Sequence, residues 1–209
     1  MGNRITSLLV VALLGLLLFT PAWADLLYDN GAINGTIGGW PISSPNKVTD
    51  SFSLTSASNL SGAQIGLWVY PTDYPSTVDW AIGTVGYASD VSSGTASLAS
   101  STLTNVSHGT TPGGFLLFES SFPVTGGVPA GTFWLTITGG EAAKFPGPYI
   151  FWDINYGPSV GFNNTGGAGS ESFQIFGTST AVPEPSTLLL LGPGLAGLWV
   201  WGRKKFKCI

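Results

Sequence analysis

Positive charge is almost missing from the middle of this sequence. Between Asp25 and Val182 stand two basic residues, Lys47 and Lys144, against ten acids, a net charge of −8. Such a body is repelled by phosphate backbones, so nucleic acid is not expected as a partner. Charge of either sign is scarce, at 9% of all residues against about 25% in ordinary soluble domains. Cysteine is nearly absent too. The only one, Cys208, is the penultimate residue, which excludes a disulfide scaffold and a cysteine-based zinc site from the body. It reads as an incidental residue, with lipidation or redox chemistry as the alternatives. A chain segment of 158 residues (25–182) is one domain's worth and buries enough core to do without disulfides.

Histidine is equally sparse. Any Ser-His-Asp arrangement would have to use His108, in "NVSHGTT", which reads as a solvated loop residue. No G-x-S-x-G elbow, H-E-x-x-H pair or EF-hand loop is present. Calcium held by Asp side chains and loop carbonyls is conceivable on an acidic body. No contiguous oxygen-ligand motif supports it, and no metal or cofactor is expected. A glycosidase needs only two carboxylates, but nothing in the sequence sets two of them across a cleft. The body is therefore expected not to be an enzyme.

Both ends differ from the middle. Arg4 precedes the apolar run Leu8 to Phe19, followed by "TPAWAD". Ala22 and Ala24 occupy the small-residue positions of an A-x-A cleavage site, so residues 1–24 read as a signal peptide cut after Ala24. The alternative is an uncleaved anchor, which the short run and the A-x-A disfavour. The C-terminal end reads "VPEPSTLLLLGPGLAGLWVWGRKKFKCI". Its apolar run, Leu188 to Trp201, has 14 residues and as a helix reaches roughly 21 Å at 1.5 Å per residue. A hydrocarbon core of about 30 Å usually takes about 20 residues. Extended to 186–202, the helix holds the membrane marginally. The basic cluster Arg203, Lys204, Lys205 and Lys207 stays cytoplasmic.

The body between these ends is broken at short intervals by Gly, Pro, Ser, Asn and Thr. The runs between are rich in β-branched and aromatic residues and alternate with period two. In "VTDSFSL", Val48, Asp50, Phe52 and Leu54 share a face. In "QIGLWVY", Ile65, Leu67 and Val69 oppose Trp68 and Tyr70. Val78, Trp80 and Ile82 go together, and Phe133, Leu135 and Ile137 oppose Trp134, Thr136 and Thr138. About eight to ten strands and no amphipathic helix are predicted over 25–177. An all-β, two-sheet sandwich or jelly roll is the expected fold. The segments 111–114, 125–131, 144–149 and 161–172 read as loops, and 178–182 as a spacer.

Aromatics are the most suggestive side chains for binding. Sugar rings present flat apolar faces that stack on them, and sugar hydroxyls pair with Asp and Asn. "WVYPTDYPS" and "FWDINYGPS" supply Trp68, Tyr70, Tyr74, Trp152, Asp153 and Tyr156 as a candidate glycan site. The competing reading is that the Trp residues fill the core. Four N-x-S/T sequons begin at Asn34, Asn59, Asn105 and Asn163, acceptors only in a host with the enzyme.

The order of features in the C-terminal end is more specific than any one of them. Pro183, Glu184 and Pro185, then a short apolar segment, then terminal cations, behind a signal peptide, resembles a PEP-CTERM protein. The resemblance implies that 183–209 is a sorting signal, read at Pro-Glu-Pro by a membrane protease-transpeptidase, the exosortase. The precursor would be held transiently in the inner membrane of a Gram-negative bacterium. The body would pass to the cell surface or an exopolysaccharide matrix. The body also resembles "choice-of-anchor" exported domains, through "VTDSFSLTSASNLSGAQIGLWV", "PAGTFWLTITGG" and "YIFWDINYGPS" among other stretches. A specific carbohydrate-binding module and a polysaccharide-active enzyme remain the alternatives.

Overall fold

A computed structural model describes residues 24–33, 35, 38–104, 114–145 and 150–180. Ala22, His108, Pro183–Pro185, the apolar helix 186–202 and the basic cluster 203–207 lie outside the described residues. Ala24 is the first described residue and is exposed. No helix among the described residues is long and apolar enough to cross a membrane.

Every regular element described is a strand. In chain order they are β1 (Asp25–Asp29), β2 (Gly38–Pro41), β3 (Lys47–Leu54), β4 (Ser58–Val69), β5 (Pro75–Gly83), β6 (Ser92–Ser97) and β7 (Thr102–Leu103). Then follow β8 (Leu116–Phe122), β9 (Gly126–Val128), β10 (Gly131–Ala142), β11 (Ile150–Asn155), β12 (Gly161–Asn163), β13 (Ala168–Glu171) and β14 (Phe173–Ser179). The all-β expectation holds. The count exceeds the expected number because pieces as short as β7, β9 and β12 pair without an alternating pattern long enough to notice.

One path of antiparallel pairs runs β1-β14-β4-β11-β13-β12-β3-β10-β5-β6. It folds over into two layers. Phe52 on β3 and Phe173 on β14 are far apart along this path, yet their rings meet edge to face at 6.4 Å. Trp152 meets Phe173 at 5.8 Å, and Phe133 meets Phe52 at 5.9 Å. These rings fill the space between the first sheet, centred on β4, and the second, made of β12, β3, β10, β5 and β6.

The turn-over point is β13. Its C-terminal half, Ser170 and Glu171, pairs with Asn155 and Ile154 of β11 in the first sheet. Its N-terminal half, Ala168 and Gly169, pairs with Phe162 and Gly161 of β12 in the second. One strand that serves both sheets makes a corner of the sandwich. At the other end of the path, β1 pairs with β14, with Asp25 opposite Gly177. The N-terminus of the body and its exit toward the C-terminal motif thus lie side by side.

Period-two alternation places the core as expected. Val48, Asp50, Phe52 and Leu54 are all buried, as are Val78, Trp80 and Ile82, and Phe133, Leu135 and Ile137. Two loop expectations are corrected. The segment 161–172 is the hairpin β12–β13, because the Asn163 carboxamide organises its turn. Its Oδ1 accepts N–H bonds from Thr165 at 2.8 Å and Gly167 at 3.1 Å, and Gly166 supplies the positive φ of 93°. Within 125–131, Gly126–Val128 forms β9 against β4. Asn163 is itself buried with its oxygen engaged, so that sequon is closed to glycosylation in the folded protein.

The alternation predicts a contrast measurable by urea unfolding. Phe52→Ala should cost about 3–5 kcal/mol, as for large aromatic truncations in cores. Its outward neighbour Ser53→Ala should stay within about 0.5 kcal/mol. Equal effects would mean that the strand's register is wrong.

Candidate functional site

The six residues expected to form a glycan site do not come together. Trp68, Trp152 and Asp153 are buried, a correction to their assignment. Trp152 lies between the sheets on Phe173, its indole N–H donating to the Ser172 carbonyl at 3.0 Å. Trp68 does point to the outer face, as parity requires, but the chain before β2 crosses over it. A Cβ on Gly35 would stand 2.5 Å from the Trp68 ring, so glycine lets the backbone lie on the indole. Asp153 takes the Trp68 indole N–H at 2.8 Å. None of the three offers a face to a sugar in solution.

The three tyrosines are exposed but divided. Tyr70 follows Val69, which pairs with Ile150 at the start of β11. Tyr74 sits in the same turn, whose Asp73 N–H donates to the Tyr70 carbonyl at 3.1 Å. Tyr156, 91% exposed, follows the other end of β11. The length of β11 puts about 17 Å between the two ends at 3.3 Å per residue. Asp79 and Asp153, the two carboxylates weighed for polysaccharide cleavage, share no cleft either. Asp79 is exposed on the outer face of β5, taking the Thr95 hydroxyl at 2.6 Å, while Asp153 is buried in the first sheet.

Two outer aromatic groups stand out instead. Tyr70, Phe115 and Phe151 form one, with centroids 4.6 and 5.2 Å apart. Trp134 on β10 and Phe162 on β12 form the other, nearly parallel at 27° and 5.8 Å apart. Alternation marked Trp134 as outward-facing. Phe162 was hidden in an expected loop.

The strongest electrostatic feature lies inside the corner. Asp50 on β3 and Glu171 on β13 are both fully buried. Alternation marked Asp50, which shares the face of Val48 and Phe52, whereas Glu171 lies in the segment 161–172 that reads as a loop and carried no such signal. Asp50 is well supplied with donors. Its Oδ2 accepts from the Glu171 N–H at 2.7 Å, Ser159 Oγ at 2.8 Å and Asn30 Nδ2 at 3.3 Å, and its Oδ1 from the Ser51 N–H at 2.6 Å. Glu171 has no N–H or O–H donor at either oxygen. It faces the Asp50 carboxyl, with which it hydrogen-bonds. Gly161 leaves room for it, since a Cβ there would meet Oε2 at 2.1 Å.

Donor supply decides which acid is charged. Burial raises both, and on Asp50 the rise is offset in part by hydrogen bonds from the Glu171 side chain and N–H, from Ser159 and from the Ser51 N–H. Glu171 is pushed up to about 10 by burial, then by the Asp50 charge and the hydrogen bond to it. At neutral pH, Glu171 is therefore a carboxylic acid that donates to Asp50. Asn30 completes the cluster: its Nδ2 reaches Ser159 Oγ at 2.6 Å, Ser170 Oγ at 2.9 Å and the Glu171 carbonyl at 2.6 Å. Tyr28 donates to Asn30 Oδ1 at 2.9 Å, and its own phenol is pushed up to about 12 by burial and by Asp50. Among the described residues no group of three His, Cys, Asp or Glu side chains has metal-binding geometry. The cluster is built to hold a proton and to join strands.

This proton makes stability depend on pH. The unfolded chain releases it near 4.5, whereas the folded protein keeps it to about 10. Between those values the folded state binds more protons at this site, so the stability that Glu171 contributes is fully present below pH 4.5 and is lost as pH rises toward 10. The slope is at most about 1.4 kcal/mol per pH unit. Thermal melts from pH 5 to 9 should show this decline. Glu171→Gln, which keeps a donor without a titrating proton, should flatten it and melt higher at pH 9. Parallel profiles would show that Glu171 is not protonated.

No curated protein matches the chain. The C-terminal segment, in contrast, matches a family model: residues 181–204 fit that of the PEP-CTERM protein-sorting motif. The match spans Pro183–Pro185, the apolar run and the first cations, the features that carry the resemblance in the sequence. Such a motif implies an exosortase as processing partner, and export as a membrane-held precursor sorted to the cell surface. The chain thus carries an all-β body in front of a PEP-CTERM protein-sorting motif.

Proposed function

We propose that this protein is a non-enzymatic component of the surface or exopolysaccharide matrix of a Gram-negative bacterium. The observation that carries the reading is the sorting-motif match at residues 181–204, joined to an all-β body. The N-terminal signal peptide delivers the chain across the inner membrane and is cut after Ala24. The apolar segment holds the precursor, with Arg203, Lys204, Lys205 and Lys207 on the cytoplasmic side. An exosortase then cleaves at the Pro183–Pro185 region and releases the body, of choice-of-anchor type, into the matrix.

Several features of the body suit this life. It needs no disulfide and exposes few charges. Its first and last strands, β1 and β14, pair with each other. Intact-mass analysis of the surface form from the native host should show a chain that begins at Asp25 and stops near Pro185. Recovery of Cys208 and Ile209 on that form would overturn the processing scheme.

A further inference from the structure

We propose that the outer face of the second sheet, around Trp134, Phe162 and Tyr87, is a stacking platform for a neutral polysaccharide chain. The biological ligand in this proposal rests on the matrix reading above. The platform itself is argued from the geometry of one sheet face.

Register partners on neighbouring strands point to the same side. Trp134 lies opposite Ser51 on β3 and Gly83 on β5. Phe162 lies opposite Thr49. Tyr87, from the β5–β6 turn, reaches the same place, where its N–H lies 3.4 Å from Thr49 Oγ1. Its neighbour Gly86 packs beside the Trp134 ring, with a Cβ position 3.6 Å away. Two stacked aromatic side chains, Trp134 and Phe162, thus lie over Thr49, and the turn that carries Tyr87 closes on the same threonine. Phe162 is 42% exposed and Tyr87 41%, so the aromatic surface here is open to solvent.

Tyr87 is presented under constraint. Its φ is 64°, a left-handed conformation that non-glycine residues avoid. The turn that holds it is tied down by Asp90, which accepts from Thr84 N at 2.9 Å and Thr84 Oγ1 at 2.6 Å. It is closed by Ala88 N–H to the Val85 carbonyl at 3.1 Å. Strain kept in place by surrounding bonds is a pointer to use, here in a turn that packs on the Trp134 ring through Gly86.

The chemistry of the face selects the occupant. Hydroxyls flank the rings: Ser51, Ser53 and Thr132, with Ser53 and Thr132 paired at 2.8 Å. Each hydroxyl in such a pair keeps capacity for a further hydrogen bond. The rows from Ser53–Thr132 to Thr49–Thr136–Ala81 contain no charged side chain. Charge returns with Asp90 in the turn that carries Tyr87, and in the next row with Lys47 and Asp79 on either side of Thr138. A body with a net charge of −8 over residues 25–182 repels an anionic polymer. Strands β3 and β10 are interior, paired on both sides, so a peptide cannot add a strand here. Flat apolar rings beside uncharged hydroxyls fit a neutral sugar chain.

The test uses the full chain in mild detergent, incubated with insoluble cellulose, chitin and β-1,3-glucan, and with alginate beads as the anionic arm. Retention is expected on at least one neutral polymer. The double variant Phe162→Ala with Tyr87→Ala should lower it at least tenfold, with an unchanged melting temperature, because both side chains are exposed. Tyr156→Ala should leave it unchanged. Equal retention of the double variant and the wild type would overturn the proposal, and so would retention on alginate alone or on nothing. A wild-type dimer lost in the double variant would also overturn it, since the occupant would then be a second copy. The matrix reading is decided separately, by whether the native host's processed protein fractionates with its exopolysaccharide.

Discussion

A buried proton shared between Asp50 and Glu171 closes the corner on which this sandwich turns. β13 gives half its length to each sheet, and the two halves must be fixed relative to each other. Apolar contacts alone do not set such an angle, because they are non-directional. Hydrogen bonds do. Asp50 brings in β3 of the second sheet, Glu171 brings in β13, and Asn30 connects the end of β1 to Ser159, Ser170 and the Glu171 backbone. Two bare carboxylates so deeply buried would be prohibitive. The body has only Lys47 and Lys144 to offer as counter-ions, and both are exposed. A proton is what remains to neutralise the pair.

The scarcity of charge shapes the outside as well. On the outer faces Ser and Thr stand in cross-strand pairs, such as exposed Ser53 with Thr132 at 2.8 Å. Paired hydroxyls hold one another in place, keep capacity for a further bond and leave the surface uncharged. Aromatics placed on such a surface stay accessible unless something crosses over them. That difference separates Trp68 from Trp134: both face outward, but the chain before β2 covers the first and not the second. Glycine at 35 permits the covering, because only a hydrogen fits above the Trp68 ring.

Much of the interior was legible in the chain. Strict alternation in β3, β5 and β10 assigned inner and outer residues correctly, including the unexpected inward Asp50. It failed where more than two faces mattered. In β4 every residue from Ile65 to Val69 is buried, since a second layer lies on the outer side, and alternation carries no word of a cover from elsewhere in the chain. By sequence the β12–β13 hairpin reads as a loop, because its Gly, Asn and Ser content is that of a turn. Its pairing depends on strand edges supplied by β3 and β11, far away in sequence.

The sequence by itself determined the address of this protein. Pro183–Pro185, the apolar segment and the basic cluster are a linear signal, recognisable from residue order because local composition alone defines it. The sequence also determined the β class and the inward parity of each regular strand, since period-two geometry belongs to the single strand. Tertiary structure decided the rest. Whether Trp152 or Tyr156 meets solvent, which acid receives donors and which keeps a proton, and which rings end up side by side all depend on groups brought together from distant strands. Burial and desolvation are properties of those encounters, and no stretch of chain contains them alone.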